Sequence, residues 1–385
     1  MQSPMTTGIP IDNHRATPLA QVGELAKTLG AKPEFDYLWF FDEISGWFHR
    51  SLWVPENAPM ASVRDNNSTH DPFIEAAFAL AANPDAGIRL TADAVRTRPG
   101  EMVRSLMSLG SAAQRQGQVV YVMGAGESRQ IRPLGYPSGQ GLGRLEDLFR
   151  LYHLLWERDE PFSFEGNHWR LDHAYLGETR PAVRPEYWAL GGGPKLISIA
   201  ARYADGLEAA APNTFVTPDD WARMVTDVRN KVEAAGRDPD AFGFGLWLGC
   251  QIHEDRDVLE ASYENPCMKY LAAILGRFNQ SDWRRDGIEP VMPDDWHYAR
   301  RWLPFKQSAD EVRKIVDAVP PDMVRKAAYG GSPAQIASIA QEFVDAGATY
   351  VGLIDFMPLV LDGLTDPPFG RWAEVCGTLH ATAGK

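Results

Sequence analysis

Two neighbouring carboxylates follow a short apolar run near the start of the chain. Asp42 and Glu43 come directly after Tyr37–Phe41, and Trp47 lies four residues beyond Glu43. Adjacent side chains at a strand end point in different directions, so one acid can orient a site while the other faces a ligand. Burial beside a second acid and an indole would raise the pKa of Glu43 towards neutrality, where proton transfer is most useful. Alternatively, Asp42 caps a helix and Glu43 is solvated.

A glycine turn that ends in a carboxylate follows another apolar run. The residues Gly124, Ala125, Gly126 and Glu127 come directly after Val119–Met123. Small residues let the backbone approach a flat ligand closely, and a carboxylate at the end of a barrel strand would face the pocket. An ordinary turn after a buried strand has the same sequence, so the motif alone leaves both interpretations open.

The third candidate is a run of glycines before a helix start. Gly191, Gly192 and Gly193 are followed by Pro194 and Lys195. Glycines leave backbone N–H groups accessible, and a helix N-terminus attracts a phosphate. The run lacks the ending of a Walker loop and the spacing of a dinucleotide fingerprint, so a barrel-type phosphate site is the better interpretation.

An acid also ends the predicted third strand. Asp93 follows Ile88–Ala92, and Arg96 and Arg98 come shortly after it. Asp93 is either another pocket acid or the ion-pair partner of one of these arginines, and we favour the ion pair slightly.

Short apolar runs alternate with longer amphipathic ones, a pattern typical of parallel βα units. The predicted strands are Thr7–Ile11, Tyr37–Phe41, Ile88–Ala92, Val119–Met123, Tyr187–Leu190, Gly206–Ala210, Phe242–Ile252 and Tyr350–Ile354. The predicted helices between and after them are Leu19–Leu29, Glu101–Ala113, Gly143–Trp156, Lys195–Tyr203, Pro218–Ala235, Pro333–Ala346 and Arg371–Lys385. Eight such strands predict an α/β fold, a (β/α)8 barrel of the TIM type.

Two segments are too long for minimal βα loops. Residues 42–82 follow the second predicted strand, and residues 254–329 follow the seventh. Since loops after barrel strands form the face where chemistry occurs, we expect one domain over residues 1–385 in which both insertions roof one pocket. The second insertion is rich in tryptophan, arginine and proline, which fits either a lid with its own small core or a substrate-lining segment.

Composition excludes several classes of function. The 51 acidic and 38 basic residues among 385 give a formal net charge of −13. Without a basic cluster we expect no nucleic-acid binding, and without an apolar run of about 20 residues or a signal peptide we expect a cytoplasmic protein with no membrane insertion. Cys250, Cys267 and Cys376 are widely spaced, which predicts reduced core thiols. Without an HExxH motif, and with His168 and His173 typical of a surface turn, we predict no metal site.

In this order and spacing, the motifs resemble the luciferase-like monooxygenase superfamily of flavin and deazaflavin barrels. The resemblance covers nearly the whole chain and is closest to the coenzyme F420-dependent branch, among phthiodiolone ketoreductase-like proteins. Its most specific stretches are the Gly124–Glu127 turn, the glycine run continuing as LISIAARYADG, and the closing GSPAQIASIAQEFVDAGATYVGLI.

The resemblance implies a cofactor at the C-terminal ends of the strands. Its phosphate would lie near Gly191, Gly192, Gly193 and Lys195. A bulge, commonly with a non-proline cis peptide, would support the back of the deazaflavin ring at Leu90, Thr91 and Ala92. The cationic residues available for the acidic tail of F420 are Lys195, Arg129, Arg132 and Arg202.

The sequence differs from the family pattern at one position. In F420 reductases of this type an Asp-His pair follows the second strand, a tryptophan lies four residues beyond the histidine, and a glutamate ends the fourth strand. Asp42, Trp47 and Glu127 match this pattern, whereas Glu43 stands in place of the histidine. A protonated Glu43 could still donate to a carbonyl oxygen, but an ionised Glu43 would repel an anionic reduced deazaflavin.

Three functions remain compatible with this resemblance. The first is an F420-dependent oxidoreductase that transfers a hydride between the deazaflavin and an apolar carbonyl or alcohol, with Glu43, Trp47 and Glu127 as catalytic residues. Asp42, Gly124 and Gly126 would join the glycine loop and the third strand in binding the cofactor. The second is an FMN-dependent monooxygenase, and the third is a catalytically silent flavin-binding relative. The resemblance also suggests a homodimer.

Overall fold

In a computed structural model, residues 5–11, 18–67, 69–361 and 368–383 of the chain are described. The strands are β1 (Thr6–Pro10), β2 (Tyr37–Phe40), β3 (Gly87–Asp93), β4 (Val119–Gly124), β5 (Phe162–Glu165), β6 (Arg170–Ala174), β7 (Glu186–Leu190), β8 (Gly206–Ala211), β9 (Gly243–Ile252), β10 (Tyr329–Gly331) and β11 (Tyr350–Asp355).

The main sheet closes on itself. Its parallel strands follow the order β10-β9-β11-β1-β2-β3-β4-β7-β8, and a further pairing joins β8 to β9. With β10 attached only to the C-terminal end of β9, the remaining eight strands form a closed (β/α)8 barrel. The predicted fold class is therefore confirmed, and each predicted strand coincides with a barrel strand to within one or two residues.

Two strand regions were not predicted. The antiparallel pair β5–β6 lies between α-helical and barrel segments, and β10 has only the sequence Tyr329-Gly330-Gly331. Alternation in Phe162–Glu165, where both phenylalanines are buried and the residues after them exposed, was a usable signal for β5. In contrast, β10 has no apolar pattern and depends on its pairing with β9.

Helices fill the connections. They are α1 (Leu19–Gly30), α2 (Pro72–Ala82), α3 (Pro99–Ala112), α4 (Ser128–Ile131), α5 (Gly141–Glu157), α6 (Pro194–Tyr203), α7 (Pro218–Ala234), α8 (Arg256–Ser262), α9 (Pro266–Leu275), α10 (Tyr298–Arg301), α11 (Ala309–Ala318), α12 (Pro321–Ala327), α13 (Pro333–Asp345), α14 (Met357–Val360) and α15 (Phe369–Ala383). Short 3₁₀ turns cover Pro59–Ser62, Arg132–Leu134, Gln280–Asp286 and Pro304–Lys306.

Local sequence explains where several helices begin. Proline occupies the first position of α7 and α13, where its missing N–H removes no hydrogen bond. Before α13, the Ser332 hydroxyl accepts from the Gln335 N–H, and the Gln335 side chain accepts from the Ser332 N–H at 2.9 Å. This capping box fixes the predicted start of the helix.

Apolar packing forms two main clusters. The larger one lies between the barrel strands and the surrounding helices. The second joins the segments after β2 and β9, where Phe48 and Leu52 share a cluster with Tyr270, Trp283 and Trp302. Met357, directly after β11, belongs to this second cluster, so the two long segments pack together beside the C-terminal end of a barrel strand.

A buried ion pair crosses the barrel interior. Arg89 on β3 donates from Nε to Glu208 on β8 at 2.9 Å, and both side chains are almost completely buried. The guanidinium lies over the rings of Tyr350 and Trp188, at 3.8 and 4.5 Å from their centroids. Trp247 donates to the second oxygen of Glu208. The charges are thus held by hydrogen bonds and aromatic faces rather than by water.

Other sequence expectations concern the whole chain. Cys250, Cys267 and Cys376 are buried and free, as predicted. Over the part of the chain that the structure describes, there is no cluster of metal-ligating side chains. In the same residues, none of the helices has both the length and the apolarity to cross a bilayer.

Candidate active site

Two carboxylates and one guanidinium meet at the mouth of the barrel. Glu43 follows β2, Glu127 follows β4, and Arg129 lies in α4. Arg129 Nη2 donates to Glu43 Oε1 at 2.8 Å, and Nη1 lies 2.6 Å from Glu43 Oε2. On its other side, Nε lies 2.9 Å from Glu127 Oε2. The guanidinium therefore brings together the two acids that the sequence nominated as catalytic. We call Glu43, Arg129 and Glu127 the acid–arginine cluster.

Two tryptophan side chains lie against the guanidinium. Trp47 and Trp302 lie on Arg129 with ring centroids 4.3 and 5.2 Å from Cζ, and the two indoles are 5.4 Å apart. Trp47, a predicted catalytic residue, thus contacts the cluster directly. Trp302 comes from the segment after β9, so both long segments contribute to the surroundings of Arg129.

The helix α10 is hydrogen-bonded to α4 beside the acid–arginine cluster. The Ser128 hydroxyl donates to the Arg300 carbonyl at 2.6 Å. Burial, and after it the charge of Glu127, raises the pKa of Tyr298 well above its ordinary value. The phenol is therefore a neutral hydrogen-bonding group beside Glu127.

Burial dominates the electrostatics of Glu43. It raises the pKa of this carboxyl to about 7, against the opposing effect of Arg129, and the charges of Glu127 and Asp42 act in the same direction as burial. The Glu43 side chain is 17% exposed, so its proton can exchange. The predicted increase in the pKa of Glu43 therefore has the predicted cause, desolvation beside a second acid.

Asp42 belongs to a separate ion-pair network. Arg96 donates through Nη1 to Asp42 Oδ1 at 3.2 Å and through Nε to Asp93. The backbone N–H of Asp42 donates to Thr91 Oγ1 at 3.0 Å, and Asp93 Oδ1 accepts from the N–H groups of Val95 and Arg96. Burial raises the pKa of Asp42 although Arg96 opposes the shift. Asp93 is thus the ion-pair partner of Arg96, the interpretation favoured from the sequence.

The expected bulge at the end of the third strand is absent. Thr91, Ala92 and Asp93 pair in regular parallel register with Val122, Met123 and Gly124. Among residues 5–11, 18–67, 69–361 and 368–383, the cis peptide found is Ala211–Pro212, so the expectation of a cis bond at Leu90, Thr91 and Ala92 is wrong. The unbroken ladder with β4 leaves no extra residue to bulge out. Leu90 and Thr91 are buried, and Ala92 is half-buried.

The two glycines at the C-terminal end of β4, Gly124 and Gly126, differ in whether another residue could replace them. Gly126 has φ +89°, and a Cβ there would lie 3.2 Å from Val95 Cγ2 and 3.3 Å from Asp93 Oδ1. A side chain at Gly124 would meet Leu190 at an ordinary 3.8 Å. Only Gly126 is thus required by the backbone of this turn.

The glycine loop opens α6 at the end of β7. Gly191 has φ +137°, and a Cβ at Gly192 would lie 2.4 Å from Thr214 Cγ2, whereas a Cβ at Gly193 would meet nothing within 4 Å. Gly193 is the N-cap of α6 and provides no side-chain cap for the first N–H groups. Lys195 is exposed in the first turn. The loop therefore combines an open approach with uncapped donors and a nearby cation.

Not all the predicted tail-binding cations belong to one surface. Arg129 is buried in the acid–arginine cluster, and Arg202 lies in the last turn of α6, 3.1 Å from Glu146. Lys195 and Arg132 are exposed. Arg129 is therefore no longer a candidate for binding the acidic tail of F420, because its guanidinium already contacts two carboxylates.

Sequence reasoning did not assign the role of Arg129, Tyr298 or Trp302. Arg129 stands two residues after Glu127, and this spacing was a usable signal for a pair within one turn. Tyr298 and Trp302 come from a segment more than 150 positions away, and no local pattern connects them with α4.

One protein-family model matches most of the chain. The family model described as luciferase-like monooxygenase matches residues 5–350. The chain belongs to this family.

Two curated relatives have names that state a reaction. The chain is 26% identical over 373 residues to a phthiodiolone/phenolphthiodiolone dimycocerosates ketoreductase of Mycobacterium kansasii, covering 94% of this chain and 96% of that protein. It is 26% identical over 235 residues to an F420-dependent hydroxymycolic acid dehydrogenase of Mycobacterium tuberculosis strain ATCC 25618 / H37Rv, covering 59% of this chain and 58% of that protein.

Among solved structures, an F420-dependent secondary alcohol dehydrogenase in complex with an F420-acetone adduct has the same fold. The TM-score is 0.70 at 18% sequence identity, over 98% of this chain and 99% of that one. At this identity the similarity concerns the fold.

Proposed function

We propose that the protein is a coenzyme F420-dependent oxidoreductase that transfers a hydride between the deazaflavin and an apolar carbonyl or alcohol substrate. The observation that carries the proposal is the pair of acids, Glu43 and Glu127, held by Arg129 at the C-terminal mouth of the barrel. The relatives named for F420-dependent reactions support the cofactor. A ketoreductase similar over nearly the whole chain supports the reaction class.

Groups at the barrel mouth suit the chemistry of this cofactor. The open loop Gly191–Gly193 would hold the phosphate through the uncapped N–H groups of α6, with Lys195 nearby. Leu90, Thr91 and Ala92 would support the ring from β3, without a cis peptide, and Gly124 and Gly126 would allow close approach of the backbone after β4. Asp42 would orient this side of the site. When bound, F420 supplies or accepts the hydride.

The chain itself would handle the proton. Reduction of a carbonyl needs a proton at the oxygen as the hydride reaches the carbon, and Glu43, with its pKa raised to about 7, can donate it near neutral pH. In alcohol oxidation the ionised Glu43 would accept the same proton. Glu127 and Trp47 would fix the surroundings of this carboxyl group through Arg129.

The residues over the proposed site suit an apolar substrate. The segments after β2 and β9 share a cluster rich in aromatic residues, and Trp47 and Trp302 extend it to the acid–arginine cluster. Such side chains bury apolar surface well and exclude water from a hydride transfer. We propose that the second insertion, residues 254–329, and the part of the first insertion, residues 42–82, that precedes α2 line the substrate side of a single-domain enzyme. Within the first insertion, α2 packs against the barrel core instead. A homodimer and a cytoplasmic location remain predictions.

A binding titration tests the proposal. The purified protein is titrated with F420 and separately with FMN, and binding is followed by fluorescence. Saturable F420 binding with FMN ignored, followed by turnover on a panel of apolar ketones and secondary alcohols, would support the proposal. Preference for FMN would instead indicate a monooxygenase. F420 binding without turnover on the panel would indicate a silent cofactor-binding protein.

A matched pair of variants tests the phosphate site. We expect Lys195→Glu to weaken F420 binding about tenfold to a hundredfold, because it removes a charge-assisted contact and adds repulsion. Arg104→Glu makes the same kind of charge reversal at an exposed position of α3 and should leave binding unchanged. Equal F420 affinity in both variants would contradict the assignment of Lys195.

A further inference from the structure

The acid–arginine cluster assigns a role to Arg129 that rests on the proposed function. We propose that Arg129 is a positioning residue that holds Glu43 and Glu127 in one charge-balanced unit, so that a single exchangeable proton is kept at the Glu43 carboxyl. In this role Arg129 acts through Glu43 and contacts neither substrate nor cofactor.

The geometry of the guanidinium supports this role. Nη2 donates to Glu43 Oε1 at 2.8 Å, Nη1 lies 2.6 Å from Glu43 Oε2, and Nε lies 2.9 Å from Glu127 Oε2. Nη1 also donates to the Ser45 carbonyl, and the Ser45 hydroxyl donates to the Arg129 carbonyl at 3.1 Å. A planar fork can bridge two carboxylates at fixed angles, whereas a lysine ammonium cannot.

The burial of the cluster makes its charge important. The Arg129 side chain is 1% exposed and two indoles lie against its guanidinium, so water screens its charge poorly. One cation beside two ionised carboxylates would leave an uncompensated negative charge in a desolvated site. Protonation of one carboxyl makes the cluster neutral. The cluster is therefore balanced when it carries one proton.

The charged groups with the largest effects on the pKa of Glu43 can be named. Arg129 in α4 opposes the rise of its pKa, and Glu127 after β4 and the preceding Asp42 promote it. The charge of Asp42 is itself paired with Arg96. Tyr298 from α10 adds a neutral phenol beside Glu127. Arg129 is thus the cation that contacts Glu43 among the described residues.

An anionic reduced deazaflavin is then compatible with a carboxyl group at this position. An isolated carboxylate would repel it, but a protonated Glu43 in a neutral cluster would not. This removes the conflict created by a glutamate where the family has histidine. The cluster supplies a proton near neutral pH by a different chemical route.

The test follows the Glu43 carboxyl by infrared spectroscopy in the cofactor-free protein. The protonated carboxyl band is titrated with pH in the wild type and assigned by its loss in Glu43→Gln. We expect a midpoint near 7 in the wild type, as the raised pKa of Glu43 requires. In Arg129→Met the midpoint should rise by about one to three pH units, because a contacting cation has been removed. Arg129→Lys should lie between them.

Glu127→Gln should move the same midpoint in the opposite direction. It removes a negative neighbour, so the Glu43 carboxyl should ionise at lower pH than in the wild type. Opposite shifts in Arg129→Met and Glu127→Gln are a signature that general loosening of the fold does not produce. Arg104→Met, at an exposed position, is the matched control and should titrate like the wild type.

Arg129→Met leaves two buried acids without their cation and could unfold. The double variant Arg129→Met with Glu127→Gln removes one of these acids and keeps the measurement possible. Its Glu43 midpoint should lie above that of Glu127→Gln alone. If folded Arg129 variants titrate at the wild-type midpoint, the proposal is overturned.

A second readout uses the F420-loaded enzyme. For carbonyl reduction, where Glu43 must be protonated, the decline of kcat/KM at high pH should move upward in Arg129→Met and downward in Glu127→Gln. Failure of the wild type to bind F420 would refute the proposed function but leave the infrared result intact. Binding of F420 with an unchanged Glu43 titration would refute only the role of Arg129.

Discussion

At the scale of single residues, Glu43 is the group whose replacement tests the proton transfer most directly. Glu43→Gln keeps the shape and a hydrogen bond to Arg129 but has no proton to give. We expect kcat for carbonyl reduction to fall by about 10²–10⁴-fold, with F420 affinity nearly unchanged, because general acid catalysis contributes a factor of this order. Asp85→Asn, at an exposed position before β3, is the matched control. A kcat within twofold of the wild type would exclude Glu43 as the acid.

The same scale shows what a sequence can say about a site. Asp42, Glu43 and Glu127 could be nominated because each comes within a few residues of the end of an apolar strand, and parallel strands bring their ends to one face. Their partners could not be chosen in this way. Arg96 and Arg129 are both close in sequence to acids, yet Arg96 bridges Asp42 and Asp93, whereas Arg129 joins Glu127 to Glu43, 86 positions away. Only the packing of the strand ends decides between such pairings.

At the scale of elements, the turn between β4 and α4 depends on one of its two glycines. Gly126 has φ +89° and close neighbours, so Gly126→Ala should lower the free energy of unfolding by about 1–3 kcal/mol. Gly124→Ala has room for its methyl group and should change it by less than about 0.5 kcal/mol. Thermal or urea unfolding of the two variants measures the difference. Equal destabilisation would show that the conformation at Gly126 is not the limiting feature.

Elements differ in how far local sequence determines them. The barrel strands and the helices predicted around them carry an apolar pattern and in several cases boundary residues, such as Ser332-Pro333 before α13, and their positions are confirmed. The helix α2 was missed, because it lies within residues 42–82, which were predicted to be an insertion. The strand β10 and the helix α10 have neither. The first is a glycine-containing segment held by β9, and the second is four residues held on α4 by contacts such as Ser128 with Arg300. Such elements follow from the tertiary structure and could not be predicted before it.

At the scale of the whole molecule, the ion pair inside the barrel links opposite parts of the closed sheet. Removal of the charge in Glu208→Gln leaves the Arg89 guanidinium buried without its counter-charge, and we expect a loss of about 3–5 kcal/mol of stability. Urea unfolding checks this value. Replacement of both partners by apolar residues, Arg89→Met with Glu208→Leu, should recover part of the loss because no lone charge remains. A double variant less stable than Glu208→Gln would argue that the pair itself is net stabilising.

The predicted homodimer also belongs to this scale, and α2 has the surface for it. Ile74 and Phe78 are 50% and 42% exposed, and with the exposed Ala77 and Ala81 they form an apolar stripe on the outer side of the helix. A second copy related by a twofold axis would cover this stripe with the same residues. We expect Ile74→Glu with Phe78→Glu to convert the dimer to a monomer in sedimentation velocity, because facing stripes would carry like charges.

The control for this change is Tyr175→Glu, which alters a similarly exposed aromatic residue directly after β6 and should leave the dimer intact. Glu43, Arg129 and Glu127 contact one another within one chain. Loss of the dimer should therefore leave the infrared midpoint of Glu43 unchanged while the sedimentation coefficient falls. A wild-type protein that sediments as a monomer would contradict the predicted homodimer. A dimer that persists in Ile74→Glu with Phe78→Glu would show that its interface lies outside this stripe.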